Sequence, residues 1–261
     1  MKKLTIKEIK EKLQTITELE SDQWSLYEED SRKGVQQALR QRRKQIIKEV
    51  ELIKDYHKRL LIENHYYSQG VTTIAGVDEV GRGPIAGPVV ACAVILPKNT
   101  SQLIEVKDSK QLSHEKRKVL SEIIKEVAVD YKIAVYDSHL IDQYNIYEAT
   151  KRAMKEAVEG LKIKPDRVLI DAMTLDIDLP QESIIKGDDK SLSIASASIL
   201  AKVYRDEMMM EYAQMYPEFG FNHHMGYGTK EHLKALECYG YTPIHRHSFS
   251  PVSNTSKSYY K

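Results

Sequence analysis

The sequence predicts an α/β fold in which helices pack on a mixed sheet, preceded by a small helical module. Residues 1–68 contain a single glycine, Gly34, and no proline, and their apolar residues recur at helical spacing. Beyond them the pattern turns to short β-branched runs, first consecutive and then alternating with helical stretches. At 261 residues, 41% hydrophobic and 30% charged, the chain can bury one good core and still carry an appendage.

The N-terminal module, residues 1–70, opens with Leu4, Ile6, Ile9, Leu13 and Ile16 on one helical face. A second, longer helix runs from Val35 through Leu39, Ile46, Val50, Ile53 and Leu60, with Arg40, Arg42, Arg43, Lys44 and Lys48 between them. It is amphipathic and basic, fit either for a nucleic-acid backbone or for plain solvation. Ser68-Gln69-Gly70 marks the expected boundary, so that residues 71–261 form the main domain. There VTTIAGVDEV, PVVACAVIL and YKIAVYD read as strands, with a helix over about residues 113–126. NIYEATKRAMKEAVEGL reads as a helix, DRVLIDAM and ESIIKGD as strands, and a long helix is predicted over about residues 189–216, capped by Asp189. EHLKALECYG is a shorter helix ending at Gly240.

A net charge of +1 neither requires nor excludes a polyanionic partner, because phosphate binding depends on where the cations cluster. Cys92 and Cys238 lie far apart without metal-ligand spacing and read as buried free thiols. The lysines at the N-terminus precede no apolar core, and no window approaches the ~18 apolar residues of a membrane span. A cytoplasmic, monomeric protein is expected.

Four carboxylates fall at or near strand ends: Asp78, Glu79, Asp171 and Asp188. Each follows an apolar run, where an unpaired carboxylate would cost several kcal/mol or take up a proton. Singly, each could be a turn or cap residue. Together, without obvious basic partners, they point to hard cations such as Mg²⁺ or Mn²⁺. Adjacent side chains on a regular strand face opposite ways, so Asp78 and Glu79 cannot both face one site unless the strand twists or ends. Gly81-Arg82-Gly83-Pro84 makes an early end plausible and permits close backbone approach to a ligand. In KGDDKSLSIASASILAK the small residues Ser193, Ala195, Ser196, Ala197, Ser198 and Ala201 offer a smooth face to a sheet, with Lys186, Lys202 and Arg205 available for phosphate. Lys107, Ser109 and Lys110 can contact phosphate or solvate a helix start. His223, His224, His245 and His247 read as exposed loop residues, since nothing fixes a closed zinc site.

Taken in order, AGVDEVGRGPIAGPV, KDSKQLS, VLIDAM, KGDDKSLSIASASILAK, GYGTKEH and HRHSF resemble the ribonuclease HII family over most of the chain. Residues 1–70 resemble the extension of some Gram-positive members. The resemblance implies an RNase H-like fold with a central five-stranded mixed sheet flanked by helices and a helical C-terminal region. It assigns Asp78, Glu79, Asp171 and Asp188 as catalytic metal ligands, Gly81, Arg82 and Gly83 as readers of the ribonucleotide, and Tyr227 as the residue packing on the adjoining sugar. Lys107, Lys110, Lys186 and Ser198 are further substrate-binding candidates. The sister family, ribonuclease HIII, has Glu at the fourth acidic position, so Asp188 favours HII; His247 stands where the family commonly has Arg.

The implied activity is a Mg²⁺- or Mn²⁺-dependent endonuclease acting on RNA-DNA hybrids and 5′ to single ribonucleotides in duplex DNA, leaving 3′-hydroxyl and 5′-phosphate ends. Two such cations can activate a water and stabilise the leaving oxygen, and four carboxylates are about what the pair requires. The rival expectation is a non-catalytic nucleic-acid binding module using the basic N-terminal helix.

Overall fold

The computed structural model describes residues 4–259, which divide into two compact units meeting between Lys58 and Arg59. The first contains α1 (Ile6–Leu13), α2 (Ser25–Glu28) and nearly all of α3 (Lys33–Arg59). A capping box starts α1: the Thr5 hydroxyl accepts from the Glu8 amide at 3.2 Å while the Glu8 carboxylate accepts from the Thr5 amide at 2.7 Å. Ile9, Leu13, Ile16, Trp24, Val35, Ala38, Leu39 and Ile46 form its core. Val50 and Ile53, expected on the buried stripe, are instead exposed. Part of the basic face also serves packing. Arg42 is buried and donates to the Ile16 carbonyl at 3.0 Å, and the Arg43 guanidinium lies over Trp24 and pairs with Glu28.

The second unit begins with α4 (Leu61–Ser68), so by packing this helix belongs with the sheet although its composition resembles the N-terminal module. The reason is local: buried Glu63 accepts hydrogen bonds from Ser191 and Ser193, and Tyr66 bonds Glu182. Then come β1 (Ile74–Val80), β2 (Val89–Ile95), α5 (His114–Val127), β3 (Asp130–Tyr136), α6 (Ser138–Glu159), β4 (Arg167–Asp171) and β5 (Gln181–Ile184). The chain closes with α7 (Gly187–Lys190), α8 (Leu192–Met215), α9 (Phe221–His224) and α10 (Lys230–Tyr239). The sheet order is β3-β2-β1-β4-β5, with β1 antiparallel to β2 and parallel to β4. Every residue of β2 is buried, as a central strand covered on both faces requires.

Asn145 explains why the sequence signalled a helix starting there. Its backbone breaks the helix with a positive φ (63°) and an extended ψ (163°), and its side-chain oxygen accepts from the amides of Tyr147 and Glu148, capping the run to Glu159. A first helical stretch from Ser138, capped by Asp137, precedes it. The predicted single helix from Asp189 is likewise broken. Asp189 lies inside α7, and the cap of α8 is Ser191, whose hydroxyl accepts from the Ile194 amide at 3.2 Å. The small-residue face of α8 does pack closely on the sheet, and Gly76 of β1 makes that approach possible: a Cβ there would sit 2.5 Å from the Ile194 nitrogen. Cys92 is buried as expected, whereas Cys238, at the exposed end of α10, is not; both are free thiols.

Candidate active site

Parallel pairing of β1 with β4 runs as far as Val77 opposite Ile170. The next residue on each strand is an acid, Asp78 and Asp171, so strand register alone sets these two carboxylates side by side at one sheet edge. The turn after β5 returns Asp188 to them. Lys186 there adopts a left-handed conformation (φ 57°), and the Gly187 amide donates to Asp171 Oδ1 at 2.7 Å, tying the turn to the end of β4. One carboxylate oxygen from each of Asp78, Asp171 and Asp188 lies within 4.8 Å of the others.

Glu79 stands outside this group of three. β1 does not end at the acids: its pairing with β2 continues through Glu79 opposite Ala91 and Val80 opposite Val90. Glu79 nevertheless lines the same cavity of about 240 Å³, with Asp78, Ser109, Lys110, Asp171, Ser198, Lys202 and Tyr227. The acids have more basic company than expected. Lys110 Nζ is 3.5 Å from Asp188 and Arg82 is 3.5 Å from Glu79, while Asp78 and Asp171 are in no ion pair among the described residues.

Burial, with the charges of Glu79 and Asp171, raises the Asp78 carboxyl well above its ordinary range; the Ser198 hydroxyl and the Glu79 amide act the other way. Burial likewise raises Glu79 and Asp188, opposed by Arg82 and Lys110 respectively. Crowded oxygen donors whose charge is this poorly compensated fit a hard divalent cation, and nothing in the set favours a soft one.

The remaining candidates divide. Ser109 and Ser198 lie with their hydroxyls 3.1 Å apart at the cavity wall, and Lys202 is held there by Asp206 at 2.7 Å. Tyr227 is 45% exposed, its ring 3.4 Å from where a Cβ on Gly83 would sit. Lys107 and Lys186 do not line the cavity. Arg205, read as available for phosphate, is wholly buried and bonds backbone carbonyls instead.

The histidines also depart from expectation. His223 and His247 are exposed, but His224 and His245 are buried beside His232, which sequence reasoning passed over. The Thr242 amide donates to His245 Nδ1 at 2.9 Å, so the neutral ring carries its hydrogen on Nε2. That nitrogen is 2.9 Å from His232 Nε2, which must then accept, leaving His232 Nδ1–H to donate to the Tyr227 carbonyl at 2.9 Å. The sequence signal was the histidines of GYGTKEH and HRHSF, but only tertiary contact could pair them.

Burial holds His232 and His245 down, to about 4 and about 3. An unfolded chain binds these protons near pH 6.5, so their stability is whole above that pH and is lost as pH falls through the folded values. Each costs about 1.4 kcal/mol per pH unit inside that window. Thermal melts are expected to show the melting temperature dropping from pH 6.5 to 5, with a shallower slope in His245→Gln; an equal slope in the variant contradicts the assignment.

An acidic metal site at the edge of a five-stranded mixed sheet with this strand order defines a metal-dependent nuclease of RNase H-like fold. Solved structures agree: the ribonuclease H2 from Pyrococcus horikoshii OT3 superposes with a TM-score of 0.62 and 29% identity, covering 70% of this chain and 96% of that one. The ribonuclease HII family profile matches residues 75–252, and the profile of the ribonuclease HII N-terminal domain matches residues 5–67, so the chain belongs to the ribonuclease HII family. It is 52% identical to a ribonuclease HII of Enterococcus faecalis over 257 residues, 97% of this chain and 99% of that one. Against a ribonuclease HII of Limosilactobacillus reuteri it is 50% identical over 252 residues, 97% and 98% of the two chains. The chain is thus a ribonuclease H, an endonuclease acting on RNA-DNA hybrids, and the reading as a mere binding module falls away. Among the described residues no helix is long and apolar enough to cross a membrane.

Proposed function

We propose that the chain cleaves on the 5′ side of ribonucleotides, including single ones embedded in duplex DNA, leaving 3′-hydroxyl and 5′-phosphate ends. The observation that carries this is the shared cavity: Asp78, Asp171, Glu79, two lysines and Tyr227 line it, Asp188 completes the cluster of three acids with Asp78 and Asp171, and Gly83 abuts the Tyr227 ring. Asp78 and Asp171 hold the cations, Mg²⁺ or Mn²⁺, and Glu79 and Asp188 complete their surroundings. When bound, a pair of divalent cations supplies a nucleophilic water at neutral pH and Lewis-acid stabilisation of the leaving oxygen. Lys110 and Lys202 face the phosphates. Backbone groups at Arg82 and Gly83 face the ribose, where sensing a 2′-hydroxyl separates RNA from DNA. Tyr227 packs on the adjoining sugar.

We further assign the helical N-terminal region, residues 1–70, an accessory role through its exposed Arg40, Lys44 and Lys48, with catalysis in residues 71–261 of a cytoplasmic monomer. The test is a DNA duplex carrying one ribonucleotide, incubated with Mg²⁺, Mn²⁺ or chelator beside an all-DNA control. Cutting is expected 5′ to the ribonucleotide, only with metal. Cutting confined to longer hybrids overturns the single-ribonucleotide reading.

A further inference from the structure

Two buried arginines converge behind the Gly81-Arg82-Gly83 loop. Arg246 donates from Nε to the Gly87 carbonyl at 3.0 Å, from Nη1 to the Arg82 carbonyl at 3.0 Å, and from Nη2 to the Gly81 carbonyl. Arg205 donates to the carbonyls of Pro88, Met225 and Ala86. Neither side chain exposes any surface, and neither is in an ion pair among the described residues. Burial lowers both guanidinium groups, Arg205 to about 10 and Arg246 to about 9. Burying a charge without a counter-charge is expensive, and a well-packed apolar side chain would serve the fold as well or better. Five of the six carbonyls so held belong to Gly81–Pro88, and the sixth lies two residues before Tyr227. The expense is concentrated on one loop.

Peptide planarity supplies the consequence. In a trans peptide the N–H points opposite to the C=O. With the Gly81 and Arg82 carbonyls drawn inward to Arg246, the amides of Arg82 and Gly83 point away from it, toward the exposed side of the loop. Both residues are exposed, and among the described residues neither amide has an intramolecular acceptor. Gly81 is held at φ 96°, and a Cβ there would meet Arg205 and, at 2.5 Å, the Pro88 carbonyl, so the loop can come this close to the arginines only with glycine at that position.

We infer that Arg246 is a positioning residue for ribonucleotide selectivity: by holding the Gly81 and Arg82 carbonyls it presents the Arg82 and Gly83 amides as a fixed pair of donors for the ribose 2′-oxygen. This rests on the reading that the loop faces the ribose. Arg246 itself touches no substrate, so losing it leaves the phosphate-facing lysines and the acids in place.

The test is fluorescence-anisotropy titration of the full chain, in an Asp171→Asn background with Mg²⁺, with a labelled duplex carrying one ribonucleotide and the same duplex in all-DNA form. With Arg246 present, the ribonucleotide duplex is expected to bind more tightly. Arg246→Met is expected to lose roughly tenfold of that preference, about one well-placed hydrogen bond, while affinity for all-DNA duplex stays unchanged. A folded Arg246→Met that keeps the full preference overturns the inference alone. No preference even with Arg246 present overturns the loop reading and the inference together. Should Arg246→Met fail to fold, Arg246→Lys decides: it keeps the charge but lacks the planar fork that spans several carbonyls, so a partial loss supports the role and an undiminished preference removes it.

Discussion

Asp171→Asn is expected to lower hybrid cleavage at least ~100-fold, since disturbing even an outer-shell partner of a metal ligand costs up to that much. The substitution is nearly isosteric. The Asn carbonyl can still accept from the Gly187 amide, now at 2.7 Å from Asp171 Oδ1, so the turn that carries Asp188 keeps its anchor. What disappears is one negative charge from a crowded group in which Asp171 already pushes Asp78, Glu79 and Asp188 upward. Without metal that repulsion destabilises the fold, and relieving it is worth on the order of 1 kcal/mol. The melting temperature in chelator is therefore expected to stay level or rise while cleavage collapses. Steady-state rates beside a melt separate the two effects; undiminished cleavage removes Asp171 from the site.

Gly76→Ala is expected to be the most destabilising single methyl in the sheet. The added Cβ would meet the Ser193 backbone carbon and lie 2.5 Å from the Ile194 nitrogen, so backbone rather than a side chain must move. That backbone has little freedom. Residues Leu192–Ala201 are all buried, and Glu63 accepts from the Ser193 amide at 3.0 Å and its hydroxyl at 2.7 Å. Overpacking a core costs about 1–3 kcal/mol, and contact with fixed backbone belongs at the top of that range or above it. For a chain of this size that is roughly 10 °C in melting temperature. Because β1 carries Asp78 and α8 carries Ser198 and Lys202, cleavage falls with it. Gly228→Ala is the control: its Cβ would meet Ile85 and Leu233 at ordinary distances, 3.8 and 3.9 Å, so little change is expected. Equal melting temperatures for the two variants contradict the tight contact.

Much of this protein was legible in the sequence by itself. Strands such as PVVACAVIL announce themselves because a strand buried on both faces must be apolar throughout, and NIYEATKRAM announced a helix because Asn145 caps it locally. The four acids were legible because a carboxylate next to an apolar run needs a reason. Signals of this kind are short-range.

Only tertiary structure decided the rest, because the deciding partner lies far away in sequence. Whether Asp78 and Asp171 meet is set by the parallel register of β1 on β4. Glu79 leaves the group of three because β1 continues past it instead of ending. Arg205 reads as a phosphate contact and His245 as an exposed loop residue, and nothing singles out His232 or Arg246, until folding buries all four against backbone groups up to 165 positions away. Composition placed α4 with the N-terminal helices, yet Glu63 joins it to the sheet unit across 128 positions. A buried polar group must find its partner wherever the fold brings one, and that long-range constraint leaves no local periodicity to read.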